Sequence, residues 1–131
     1  VLNMTVNVKI VERGTFIRAM NAGEVAFFPW GWTAGYPDGM YFLSQMWHSA
    51  SPFNRPRWKN EAYDRVIDQA KTVANDEERY KLYHQAEGIL LDDWGTAPLP
   101  IPVHVALRKP NVTNVTMTPF GYSSFARIEI K

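Results

Sequence analysis

Three histidines, His48, His84 and His104, stand far apart in a chain of 131 residues, and no two of them have the spacing of a metal-ligand pair on a helix or hairpin. Cysteine is absent, which removes disulfides, thiolate metal sites and cysteine nucleophiles together. Asp92 and Asp93 are adjacent carboxylates, but successive helical positions diverge by about 100°, so they are expected to be solvated and not to share a reaction centre. No serine sits in a Gly-x-Ser-x-Gly elbow and no Gly-rich phosphate loop follows a strand. Catalysis therefore has no acid, nucleophile or metal to stand on, and no catalytic residue, metal or cofactor is expected.

The stretch from Trp30 to Asp38 offers binding chemistry instead. Trp30, Gly31, Trp32, Thr33, Ala34, Gly35 and Tyr36 place a glycine between two flat rings at what reads as the end of a strand. Such an end can present main-chain N–H and C=O groups to an extended ligand while the rings cover it. Gly31 implies close approach by another backbone. On a strand, Trp30 and Trp32 would share one face, a spacing that equally suits two indoles sealed in a core. His104 joins the candidates because it lies in a Pro-bounded extended run, Ala97 to Leu107, where alternate side chains can face a ligand.

The elements that must position these residues follow from periodicity. Thr5 to Val11 alternates, with Val6, Val8 and Ile10 on one face of a half-buried strand. Thr15 is the expected cap of a short helix with Phe16, Ile17 and Met20 on one side, stopped by Asn21-Ala22-Gly23. Val25 to Trp32 is continuously apolar, as in a strand covered on both faces. Together these predict a right-handed βαβ unit with parallel strands, whose ligands gather beyond the strand ends. Met40 to Trp47 is predicted as a short helix capped by Asp38, and His48 to Pro56 as a polar loop. Asn60 caps a helix bearing Tyr63, Val66, Ile67, Ala70 and Val73, and Asn75 or Asp76 begins another bearing Leu82, Tyr83, Ala86, Ile89 and Leu90. These two form an antiparallel hairpin. Residues 111–118 and 125–130 alternate as tail strands.

Composition narrows the class. Fourteen Lys and Arg against thirteen Asp and Glu give a net charge of +1, which argues against a nucleic-acid partner. With 46% hydrophobic and 21% charged residues the chain should fold, as one unit and not as two lobes around a cleft. No apolar run approaches the roughly 20 residues that span a bilayer. Val1 to Met4 shows neither an initiator methionine nor a signal peptide, and the expectation is a segment of something longer.

The succession Val6-Asn7-Val8-Lys9-Ile10-Val11, Gly23-Glu24-Val25-Ala26-Phe27-Phe28 and Gly31-Trp32-Thr33-Ala34-Gly35-Tyr36-Pro37-Asp38 resembles the C-terminal part of the peptide-binding class of bacterial extracellular solute-binding proteins. Asn60-Glu61-Ala62-Tyr63-Asp64, Ala97-Pro98-Leu99-Pro100-Ile101-Pro102 and Met117-Thr118-Pro119-Phe120-Gly121 extend the resemblance. It implies an α/β fold: a βαβ-containing lobe of a type II periplasmic-binding-protein-like fold, with a helical hairpin and an extended C-terminal β tail. Residues 1–105 would be part of the second lobe, and residues 106–131 tail strands that return to the first.

The resemblance further implies a non-enzymatic component of an ABC importer, periplasmic or otherwise extracytoplasmic. It would bind a peptide or related small solute between its lobes, and its partners would be the N-terminal lobe and the transporter permease. In the family the strand ending at Gly31-Trp32-Thr33 pairs with the ligand backbone and an acidic residue soon after holds the ligand's amino group. Gly35 occupies that acidic position here, with Asp38 three residues on, which widens the ligand class to solutes without an amino terminus. Isolated from the first lobe, the tail would fold onto its own sheet or exchange with a second copy. The alternative function is a carbohydrate-binding module stacking sugars on Trp30, Trp32 and Trp47.

Overall fold

The computed structural model describes residues 5–99, 107–117, 123–124 and 126–131. Its core is a helical hairpin. Helix α3, Glu61–Thr72, starts where Asn60 Oδ1 accepts from the Ala62 and Tyr63 amides at 3.0 and 3.1 Å. Helix α4, Asp76–Asp92, starts at Asn75, whose side chain accepts from the Glu78 amide, and three acids in its first turn complement the positive helix end. Apolar residues at spacings of three and four then face each other. Tyr63, Val66, Ile67 and Ala70 of α3 are buried against Leu82, Tyr83, Ala86 and Leu90 of α4. Each large side chain withdrawn from water in this way contributes about 1.5–3 kcal/mol.

The hairpin carries the rest. Helix α2, Met40–Phe42, runs straight into a π-helical turn, Leu43–Trp47, so the expected single helix changes its winding midway. Leu43 enters the core, and its carbonyl accepts from the buried Tyr63 hydroxyl at 2.9 Å. Trp47 and Trp58 pack on the margin of the same cluster. The Trp58 indole meets the Tyr63 ring edge-on at 5.0 Å and donates to Asp93 Oδ2 at 2.9 Å, which also accepts from Asn60. Asp93 is thus a tie between the two ends of the hairpin and not merely a solvated carboxylate.

Helix α1, Arg13–Ala22, is capped by Glu12, which accepts from the Gly14 and Thr15 amides at 2.7 and 2.9 Å. Thr15, the expected cap, lies inside the helix because Glu12 reaches both orphan amides first. The stop is as expected: Gly23 takes a left-handed φ of 76° and its amide returns to Met20.

The predicted βαβ unit is not formed among the described residues. Thr5–Val11 and Val25–Trp32 lie on either side of α1 as expected, but neither is a strand. A ladder needs a neighbouring backbone on which its donors and acceptors close, and these segments have none among the described residues; Val8 and Ile10 are 80% and 92% exposed. The tail does pair, with itself. Strand β1 (Val112–Thr113) runs antiparallel to β4 (Glu129–Ile130), and β2 (Thr116–Met117) to β3 (Ser123–Ser124), with Val112 opposite Ile130 and Thr116 opposite Ser124. The whole is a mixed α/β chain in which helices dominate.

Candidate binding site

The segment from Val25 to Gly35 runs without helix or strand, bent at Ala26, Phe27 and Gly35, between α1 and the loop that follows the π-helical turn. No backbone hydrogen bond joins its main chain to another described residue. Its rings are held from two sides. Phe16 of α1 meets Phe28 edge-on at 6.0 Å and Trp30 at 6.2 Å. Trp32 meets Phe53 of the following loop at 5.4 Å. Trp30 remains 38% exposed, whereas Trp32 is half-buried and its indole N–H is buried without a partner. The two indoles, expected on one face of a strand, are instead docked on different aromatic partners, because no sheet holds the segment flat.

Gly31 and Thr33 are exposed, and a Cβ added at Gly31 would meet nothing within 4 Å. The close backbone approach expected there is not made by any described part of this chain. Ala34 is buried. At Gly35 an added Cβ would come within 3.1 Å of the Tyr41 ring, which Tyr36 in turn meets edge-on at 4.9 Å. Tyr41 therefore fills the space that a side chain at position 35 would enter. Trp30 to Tyr36 form one continuous run; His104 lies outside the described residues.

Asp38 lies at the far end of this run. It accepts from the Met40 amide at 2.8 Å, as expected of a cap for the next helix, and it also takes the Tyr83 hydroxyl at 2.9 Å and the Arg79 guanidinium at 3.0 Å. Burial alone would push its carboxyl up, but those two hydrogen bonds and the Arg79 charge outweigh it and hold the group below its ordinary range. Tyr83, half of that pair, is pushed up to about 12 by burial and by the neighbouring carboxylate. Asp38 is occupied in holding the loop to α4.

The expected polar loop, His48 to Pro56, is present and continues to Lys59, but its residues were not among the expected site residues. Asn54 organises it from inside: buried itself, it donates to the Trp58 carbonyl at 2.6 Å, while the amides of Ser51, Asn54 and Arg57 close successive turns. The loop thus presents Phe53 to Trp32 and sends Arg55 and Arg57 towards α1. A Phe set among Ser, Pro and Asn in a polar loop was the available signal. Among the described residues, no group of three His, Asp or Glu side chains could hold a metal ion.

No family model matches the chain. Individual proteins do. The chain is 30% identical over 128 residues to a probable di/tripeptide-binding protein 5 of Pseudomonas aeruginosa, covering 95% of this chain and 24% of that protein. It is 29% identical over 121 residues to the dipeptide-binding protein DppE of Bacillus subtilis, with 92% of this chain and 22% of that one covered. The likeness is to peptide-binding solute-binding proteins. It also reaches a heme-binding protein A of Haemophilus influenzae, 29% identical over 91% of this chain and 22% of the relative. A solved structure described as the pheromone receptor PrgZ with its mode of peptide binding superposes with a TM-score of 0.76, at 22% identity, over 99% of this chain and 25% of that one. The chain therefore has the fold of part of that protein, and it spans about a quarter of the length of the relatives it matches. The relatives are named as binding proteins and not as enzymes.

Proposed function

We propose that this chain is a C-terminal portion of the substrate-binding component of an ABC importer, working outside the cytoplasmic membrane, and that it forms one wall of a cleft that closes over a peptide or related small solute. Residues 1–105 belong to the second lobe in this reading, which is of the type II periplasmic-binding-protein-like kind, and residues 106–131 return to the first lobe. The partners are that first lobe and the transporter permease, and no step of catalysis is involved. No described helix is long and apolar enough to cross a membrane.

The observation that carries the reading is that the main chain of Val25–Gly35, beside two indoles, bonds to no other described residue. An extended ligand laid along Trp30, Gly31, Trp32 and Thr33 would supply the missing ladder and the close approach at Gly31, while Ala34, Gly35 and Tyr36 bound its end. His104 is kept as a ligand-facing candidate. Hinge closure against the other lobe would then exclude water from both sides, so this chain alone should bind weakly.

The carbohydrate-module alternative requires Trp30, Trp32 and Trp47 in one exposed row. Trp47 packs on the hairpin core and Trp32 is half-buried against Phe53, which disfavours it. Native mass spectrometry of the longer parent protein, purified without refolding, tests the proposal: a co-purified peptide or small solute is expected. A parent that carries no solute and binds no di- or tripeptide by calorimetry would overturn it.

A further inference from the structure

A second concavity lies on the other side of Phe53. It is a cleft of about 370 Å³ between the end of α1 and the 48–59 loop, and its lining includes Asn21, Ser49, Asn54, Arg55, Arg57 and Lys59. Three cations and no carboxylate line it. Among the described residues none of the three forms an ion pair, although five Lys or Arg pairs with carboxylates are made elsewhere.

Part of this charge has a structural use. Arg57 Nη2 donates to the Asn21 carbonyl at 3.0 Å, at the negative end of α1, and Arg55 Nη1 donates to Asn21 Oδ1. A guanidinium has five N–H donors, so these bonds leave most of the fork unspent; Arg55 Nε is buried without a partner among the described residues. Arg57 is also held at a left-handed φ of 57°, a strained backbone for a residue with a side chain. Fixing α1 explains a donor near Asn21. It does not explain a third cation at Lys59, or three positive charges gathered on a loop that Asn54 makes rigid.

The cleft adjoins the indole site. Trp32 meets Phe53 at a tilt of 57°, and the Arg55 guanidinium lies 5.8 Å from the centre of the same Phe53 ring. Indole, phenyl and guanidinium thus form one continuous run from the Val25–Gly35 segment into the cleft. A ligand lying on Trp32 would reach the cations over a single ring.

We propose that the cleft receives an acidic side chain of the bound peptide, which makes this chain part of a receptor for acidic peptides; the inference rests on the peptide-binding reading. Planar carboxylates suit the paired N–H groups of Arg, with Lys59 adding charge without fixed geometry.

The test is a titration of the full, 15N-labelled 131-residue chain followed by amide chemical shifts, with Ala-Glu, Ala-Gln, Ala-Gln amide and inorganic phosphate as probes. Ala-Glu is expected to shift the amides of Arg55, Arg57 and Lys59 and to bind at least fivefold more tightly than Ala-Gln, with Ala-Gln amide binding like Ala-Gln. Ala-Gln matching Ala-Glu and binding more tightly than the amide would assign the cleft to the terminal carboxylate and overturn the acidic preference. Lys59→Gln, which removes no hydrogen bond described here, should reduce the preference at least threefold, and Lys59→Arg should keep it. Three peptides bound alike would overturn the acidic preference and leave peptide binding standing. Phosphate shifting these amides while no peptide does would overturn the peptide assignment, and silence from all four probes would overturn the site itself.

Discussion

The Tyr83 hydroxyl donates to Asp38 Oδ1 at 2.9 Å, and this bond joins the middle of α4 to the turn that ends the indole segment. The same carboxylate takes the Met40 amide and the Arg79 guanidinium. One side chain therefore caps α2, closes the turn and anchors both to the hairpin.

Asp38 makes stability depend on acid in a defined window. Its folded pKa lies below the ordinary 3.8, so the unfolded chain binds the proton more readily. The carboxylate's contribution is complete above about pH 4 and is lost as pH falls through the depressed folded value. Asp38→Asn should cost about 1–2 kcal/mol at neutral pH, and the variant's chemical-denaturation midpoint should be flatter below pH 4 than that of the parent sequence. Equal acid slopes for the two chains would show that Asp38 carries no such linkage.

A second prediction concerns the core. Tyr63 is wholly buried, its phenol pushed up first by burial and then by the charges of Asp64 and Glu87, so it remains a donor throughout the accessible pH range. Its acceptor is the Leu43 carbonyl in the π-helical turn. Tyr63→Phe would remove that buried bond and should cost about 1–2 kcal/mol in urea unfolding, with the helical circular dichroism of the hairpin retained.

The hairpin was legible because its signals are local. Asn60 and Asn75 cap the helices they immediately precede, and Tyr63 to Ala70 and Leu82 to Leu90 repeat at helical spacing, so no distant residue is needed to read them. The tail strands were legible in part, but the two expected strands that flank α1 were not, for the opposite reason. Val6, Val8 and Ile10 alternate as a strand should, but alternation states only that a face would be apolar if a neighbour existed. The π winding at Leu43–Trp47 left no local mark. The site was half legible: Trp30 to Tyr36 stood out by residue type, while Phe53, Arg55 and Arg57 meet it only through the fold of a polar loop around Asn54.

Helix α4 ends with a residue poorly suited to its backbone. Trp94 has a φ of 55°, its amide returns to Leu91, and the Gly95 amide returns to Leu90 at 2.9 Å. Left-handed backbone costs a side-chain-bearing residue about 1–2 kcal/mol, and Trp94 is 88% exposed, so little packing offsets it. Trp94→Gly should raise stability by about 0.5–1 kcal/mol. By contrast, Gly95→Ala should destabilise by about 1–3 kcal/mol, because the added Cβ would stand 2.5 Å from Leu90 Cδ1 and 3.1 Å from the Trp58 ring. Thermal melts of the two variants should therefore move in opposite directions.

Gly31 separates folding from binding. Its φ is not in the left-handed region, and a Cβ there would touch none of the described residues. Gly31→Ala should leave the unfolding midpoint of this chain within about 0.5 kcal/mol of the original. A peptide whose backbone runs alongside the segment would meet the new methyl group directly, and in the longer parent protein the same change should weaken di- or tripeptide binding at least tenfold by calorimetry. If both stability and affinity were unchanged, the ligand's main chain would have to run elsewhere, and the indoles would be covering something other than an added strand.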